Sequence, residues 1–144
     1  MRLFRQPSES QVRRLLNDAK LPTADLTREH LKHFIGCGLE QAPKGVVGLE
    51  IYGPDALLRS LAVEDKTRGH GCGKALVEEA ERYARQQGVR RIYLLTTNAA
   101  KFFGNLGYSV VPRADAPERI RMTPEFSSLC PSSSTFMAKD LTGV

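Results

Sequence analysis

Arg68-Gly69-His70-Gly71-Cys72-Gly73-Lys74 is the stretch whose reading decides the fold. It follows an apolar run, Leu57 to Val63, and opens a helical pattern, Lys74 to Gln87. Three glycines alternate with other residues, so little side-chain bulk keeps a ligand from the backbone. Glycine also tolerates the positive φ angles that let successive N–H groups converge. A helix N-terminus behind such a turn adds unpaired N–H donors and roughly half a positive charge. Arg68 and Lys74 add full charges at either end. The stretch is therefore predicted to hold a polyanion, and a pyrophosphate suits it best.

Spacing excludes two glycine-rich designs. A P-loop needs a Gly four residues before the Gly-Lys pair and a Ser or Thr after it. Here Arg68 and Ala75 occupy those places, and nothing is left to ligate magnesium. A dinucleotide fingerprint needs G-x-G-x-x-G. Counting from Gly69 the third place is Lys74, and counting from Gly71 it is Leu76. What remains is Arg-x-x-Gly-x-Gly, read as Arg68, Gly71 and Gly73. Alone, this pattern leaves a solvated strand-to-helix turn open.

A second segment narrows the reading. Arg91-Ile92-Tyr93-Leu94-Leu95-Thr96-Thr97 is a continuous β-prone run, the signature of a buried strand. Asn98 is predicted to cap a short helix with apolar residues Ala99, Phe102, Phe103 and Leu106 at i, i+3, i+4 and i+7. Gly107 ends it, and Tyr108 to Val111 reads as another strand. Together the two segments resemble the GNAT superfamily of N-acetyltransferases, over roughly residues 3 to 141.

The resemblance implies a fold, a cosubstrate and a set of residues. The fold is a single α/β domain spanning 1–144, with a mixed, mostly antiparallel sheet splayed at an acetyl-CoA site and flanked by helices. Acetyl-CoA would lie along Leu61, Ala62 and Val63, with the Val63 N–H as oxyanion donor. Its pyrophosphate would sit on Arg68, Gly69, His70, Gly71, Cys72, Gly73 and Lys74. Asn98, Phe102 and Phe103 would border the pantetheine, and Asn98 carries a catalytic expectation beside Val63. Many members have Tyr at the place of Phe103, where it protonates the CoA thiolate. Phe cannot donate, and Tyr108 lies beyond the helix end.

Candidate bases are Glu50, Glu64 and His33, with Glu50 preferred because it falls on the third strand and can act through water. Arg59 is a charge inside the apolar run Leu57-Leu58-Arg59-Ser60-Leu61. A buried Arg needs a partner, either an internal carboxylate such as Glu50 or the carboxylate of a substrate. Arg59 and Ser60, with Arg121 or Ser132, are the candidate acceptor residues. Gly48-Leu49-Glu50-x-Tyr52-Gly53, Leu58-Arg59-Ser60-Leu61-Ala62-Val63 and Glu125-Phe126-Ser127-Ser128-Leu129-Cys130-Pro131 together look like the arsenic-resistance branch of the superfamily. Residues 120–131 are also similar to short amino-acid acetyltransferases. Both similarities imply an amino acid or an analogue as acceptor.

Composition bounds the alternatives. With 144 residues, 41% hydrophobic and 26% charged, the chain suits one ordinary globular domain. No apolar run approaches the ~20 residues of a membrane span, and the first residues lack a signal-peptide core, so a cytoplasmic protein is expected. Net charge is +5, yet the basic residues are scattered and Trp is absent, so nucleic acid is not an expected partner. The expected partner is a small amine, and the resemblance leaves a homodimer open. Cys37, Cys72 and Cys130 are an odd set without C-x-x-C spacing, which argues against a disulfide scaffold or a zinc site. No metal is expected. An acyl-CoA sensor without catalysis, or a thiol-based arsenic or metal binder, are the competing function classes.

Along the chain, a strand is predicted at Leu3 to Arg5 and a helix at Ser8 to Lys20, opened by a Ser8…Gln11 capping box. Strands follow at His30 to Leu39, Val46 to Tyr52 and Ala56 to Glu64. After Val111 comes an irregular stretch, 112–131, and then an edge strand from Ser132 to Leu141.

Overall fold

The computed structural model describes residues 2–67, 69 and 71–142. The strands are β1 Leu3–Arg5, β2 Phe34–Leu39, β3 Ala42–Tyr52, β4 Asp55–Val63, β5 Arg91–Thr96, β6 Ser109–Val110 and β7 Thr135–Asp140. The helices are α1 Glu9–Asp18, α2 Arg28–Leu31, α3 Cys72–Gln86, α4 Ala100–Asn105 and α5 Glu118–Arg121. The strands form one seven-stranded sheet in the order β1-β2-β3-β4-β5-β7-β6. Pairing is antiparallel for β1/β2, β2/β3, β5/β7 and β6/β7. The chain divides into two compact units, Met1–Glu50 with Leu58–Tyr83, and Ile51–Leu57 with Ala84–Val144.

In the first unit, Ser8 caps α1 by accepting the Gln11 N–H at 3.4 Å. Only half of the expected capping box is built, because the Gln11 Oε1 instead accepts from Arg14 Nε at 2.9 Å, while its amide donates to the Gln41 carbonyl at 3.0 Å. Val12, Leu15 and Leu16 line up one face of α1 and join Phe34, Val46 and Ala62 in a core. Each such side chain contributes ~1.5–3 kcal/mol when fully removed from water.

The expected strand from His30 starts four residues late, because Thr27 opens α2. The Thr27 hydroxyl accepts from His30 N, and the Thr27 N–H donates to His30 Nδ1 at 3.0 Å. This is a capping box with an imidazole where Glu or Gln is usual. The β2/β3 loop is also tighter than expected, since β3 begins at Ala42. Pro43 is accommodated opposite Gly38, where the register shifts after Cys37 and a missing N–H is tolerated.

In the second unit, β7 is not an edge strand. It pairs with β5 from Arg91↔Asp140 to Thr96↔Thr135 and with β6 through Ser109 and Val110. Phe136, Met137 and Ala138 are buried accordingly. Tyr93 stacks on Phe136 at 5.5 Å, and Phe126 meets Phe136 edge-on at 5.3 Å. Ile120 of α5 fills the same cluster, so the irregular stretch is self-packed.

Candidate active site

The glycine turn is built as its composition requires. Gly69 and Gly71 have φ of 84° and 85°, in the left-handed region, and a Cβ at either would meet open space. Their backbone is thus approachable, and α3 starts immediately behind them at Cys72. Ala75 N bonds Gly71 O at 3.0 Å, which leaves the earlier N–H groups of this 15-residue helix without intrahelical acceptors. Lys74 is exposed and the Cys72 side chain is buried, so Cys72 has only its backbone to offer a ligand. The described N–H groups at the start of α3 suit an anion. Arg68 and His70 lie outside the described residues.

Leu61, Ala62 and Val63 close β4, of which Ala62 is buried and its neighbours half-buried. A cleft of about 370 Å³ opens beside them, lined by Leu15, Asp18, Ala19, Val63, Glu64 and Lys66, among others. Glu64 is tied to Arg14 Nη1 at 3.1 Å, as a strand-end carboxylate at the surface would be.

Glu50, Arg59 and Ser60 come together with two residues that the sequence reading did not single out. Arg59 Nη1 donates to Glu50 Oε2 at 2.7 Å and to Asp25 Oδ2 at 2.5 Å, and Nη2 donates to Asp25 Oδ1 at 2.8 Å. Arg59 Nε donates to Ser60 Oγ at 3.0 Å, across a Ser60 backbone held at φ 61°. His30 Nε2 lies 3.6 Å from Glu50 Oε2. The Arg59 side chain is 1% exposed and that of Glu50 4%. Glu50 is therefore a buried carboxylate, not a solvent-facing one. The carboxylate partners of Arg59 are internal, Glu50 as one of the two expected alternatives had it and Asp25 in addition; Ser60 faces Arg59.

Burial pushes the Asp25 carboxyl up, but the hydrogen bonds and charge of Arg59, helped by His30, outweigh it and hold it below its ordinary value. His33 is a turn residue, 2.6 Å from the Tyr83 hydroxyl through Nδ1. Burial lowers its pKa against the pull of Glu29. Asp25, His30 and Glu50 have the donor types of a metal site, with ligand atoms within 4.8 Å of one another. The Arg59 guanidinium already supplies the positive charge there, bonded to both carboxylates.

In the second unit, Asn98 does not cap α4. Ala99 is the N-cap, without a side-chain bond, and its N–H goes to Thr96 Oγ1 at 3.0 Å. Asn98 is thereby left exposed. Phe103 is buried edge-on between Phe102, at 5.1 Å, and Tyr108, at 5.6 Å. Arg121 and Ser132 are both exposed. Cys130 donates to the buried Glu125 carboxylate at 2.8 Å.

The strand β4, the N-terminus of α3 behind the glycine turn and the buried Glu50 carboxylate all fall in the first unit or at its boundary. Residues 2–108 match the Acetyltransferase (GNAT) family, and the chain belongs to it. An uncharacterised N-acetyltransferase of Chlorobaculum tepidum is 32% identical over 64% of this chain and 59% of its own length. N-acetylglutamate synthase from Neisseria gonorrhoeae, solved with coenzyme A and N-acetyl-glutamate, superposes with a TM-score of 0.79. It is 18% identical, over 97% of this chain and 35% of that one. An aminoglycoside 6′-N-acetyltransferase complexed with coenzyme A gives 0.72 at 18% identity, over 98% of this chain and 97% of that one. The chain thus spans about three fifths of the curated relative and a third of the synthase. Among the described residues, no helix is long and apolar enough to cross a membrane.

Proposed function

We propose that the chain, acting as one domain over residues 1–144, transfers the acetyl group of acetyl-CoA to the amine of a small molecule, an amino acid or an analogue. The observation that carries this is a buried, Arg-held Glu50 in a chain whose glycine turn opens α3. Acetyl-CoA supplies the activated thioester. Arg68 to Lys74 hold its phosphates, and Leu61 to Val63, Asn98, Phe102 and Phe103 border its arm. Glu50 takes the proton from the arriving ammonium, directly or through a water, and the Val63 N–H steadies the carbonyl oxygen as it gains charge. One such donor is worth ~3 kcal/mol. No acid is assigned to the departing thiolate, since Phe103 has no hydroxyl and a free thiol ionises near pH ~8.5 in any case.

Arg121 and Ser132 are proposed for the acceptor's carboxylate, and Arg59 for holding Glu50. An arsenic-containing amino-acid analogue is one acceptor of the right class, motivated by the segment 125–131. A cytoplasmic location and a homodimer belong to the same proposal. The test is thiol release from acetyl-CoA against an amine panel that includes glutamate and its phosphorus and arsenic analogues, with calorimetry of acetyl-CoA alone. Release with one acceptor class supports the reading. Tight binding without release from any amine favours an acyl-CoA sensor, the reading that the donor-free Phe103 supports. No binding at all sinks both.

A further inference from the structure

We infer that His30 is a positioning residue for Glu50, held by Thr27 in the tautomer whose Nε2–H faces the Glu50 carboxylate. This rests on Glu50 as the base of the proposed transfer. A backbone N–H can only donate, so the 3.0 Å contact from Thr27 N requires a lone pair on His30 Nδ1. The Thr27 hydroxyl, 2.9 Å from the same nitrogen, can donate as well. A neutral imidazole with Nδ1 accepting carries its proton on Nε2.

His30 Nε2 lies 3.6 Å from Oε2 of Glu50, the oxygen that Arg59 Nη1 also approaches. At 3.6 Å the contact is longer than a hydrogen bond, so it acts as an oriented dipole. A shift of about 0.6 Å would close it to bonding length, of the kind that accompanies substrate binding in many sites. The charged and titratable groups that act on His30 are Asp25 from the preceding loop, His33 in the turn after α2, and Glu50 from the sheet, which Arg59 holds; Glu29 within α2 and Lys32 just after it act on His33. Protonation at Nδ1 would expel the Thr27 N–H and open the cap of α2. His30 consequently serves as a fixed donor beside the base, and not as a competing base.

Two substitutions separate the two ring nitrogens. His30→Asn places an amide where Nδ1 sits and keeps a cap for Thr27, but does not reach Glu50. His30→Gln puts its amide oxygen where Nδ1 accepts the Thr27 N–H, as Gln does in an ordinary capping box, and its amide N–H where Nε2 sits. The expected result is a folded H30N enzyme with kcat down about tenfold, a fraction of the 10²–10⁴-fold that a positioned base supplies. Its KM for the amine should stay within about twofold, since a donor beside the base is lost and no acceptor contact is. H30Q should melt with wild type and retain kcat within about threefold of it. An H30N enzyme with unchanged kcat overturns the inference.

Long-range ¹⁵N–¹H correlation of the His30 ring in the unmodified protein reads the tautomer without any activity. A proton on Nδ1 overturns the inference even in an active enzyme. A protein that releases no thiol with any amine, yet shows the Nε2–H tautomer, overturns the acetyl-transfer reading and leaves the orientation of His30 standing.

Discussion

Arg59 closes a two-pronged bond on Asp25, at 2.5 and 2.8 Å, in side chains that are 1% and 9% exposed. Fork-to-fork geometry of this kind fixes orientation as well as charge. The same guanidinium reaches Glu50, so one cation organises two carboxylates. Removing it strands both anions. Arg59→Ala is expected to cost about 3–5 kcal/mol of unfolding free energy, the range for breaking a buried pair. Arg59→Lys, which keeps the charge without the fork, should cost less. Urea titration of both variants checks this, and an R59A protein as stable as wild type would show the network to be ornamental.

Asp25 makes that stability depend on pH. Its carboxyl is held below its ordinary value of 3.8 in the folded chain. A depressed folded pKa contributes stability above the unfolded pKa, and the contribution is lost as pH falls through the folded one. Wild type should therefore lose more stability between pH 5 and about 2.5 than Asp25→Asn does. Parallel urea midpoints for the two proteins across that window would refute the assignment.

How far the sequence carries can be judged element by element. The β5 strand and α3 were legible because continuous apolar runs and a 3.6-residue period are local signals. The glycine turn was legible because φ near 85° at Gly69 and Gly71 is a property of the residue type. α2 was not, since its cap uses His30 Nδ1 in place of a carboxylate, and no residue type announces that geometry. Asn98 looked like a cap, yet Thr96, two residues earlier, supplies the hydroxyl. At the site, Glu50 and Arg59 stood out as charges in apolar strands. Asp25 did not, because its partner is 34 residues away and nothing local distinguishes it from any loop aspartate.

Glu50→Gln tests the chemistry apart from the fold. The amide keeps an oxygen for Arg59 but cannot take a proton. The variant should bind acetyl-CoA as wild type does and release thiol about 10²-fold or more slowly with the best amine. A loss of acetyl-CoA affinity instead would mean that Glu50 organises the cosubstrate's loop and not the acceptor.

The three thiols should differ sharply in reactivity. Cys72 and Cys37 are both 2% exposed. Burial, and then the hydrogen bond with Cys37, push the Cys72 thiol up to about 12. At pH 8 its thiolate fraction is then ~10⁻⁴, and the thiolate is the reacting species. Packing adds a barrier, since a Cβ on Gly45 would lie only 2.7 Å from Cys72 Sγ. Cys130 is half-buried and faces Glu125. A chromogenic disulfide reagent added to the native protein should label one thiol first, and Cys130→Ser should abolish that phase. All three should react after unfolding in guanidinium. A fast phase that survives in C130S would place Cys37 or Cys72 within reach of solvent, and would reopen the case for a thiol-based arsenic or metal binder.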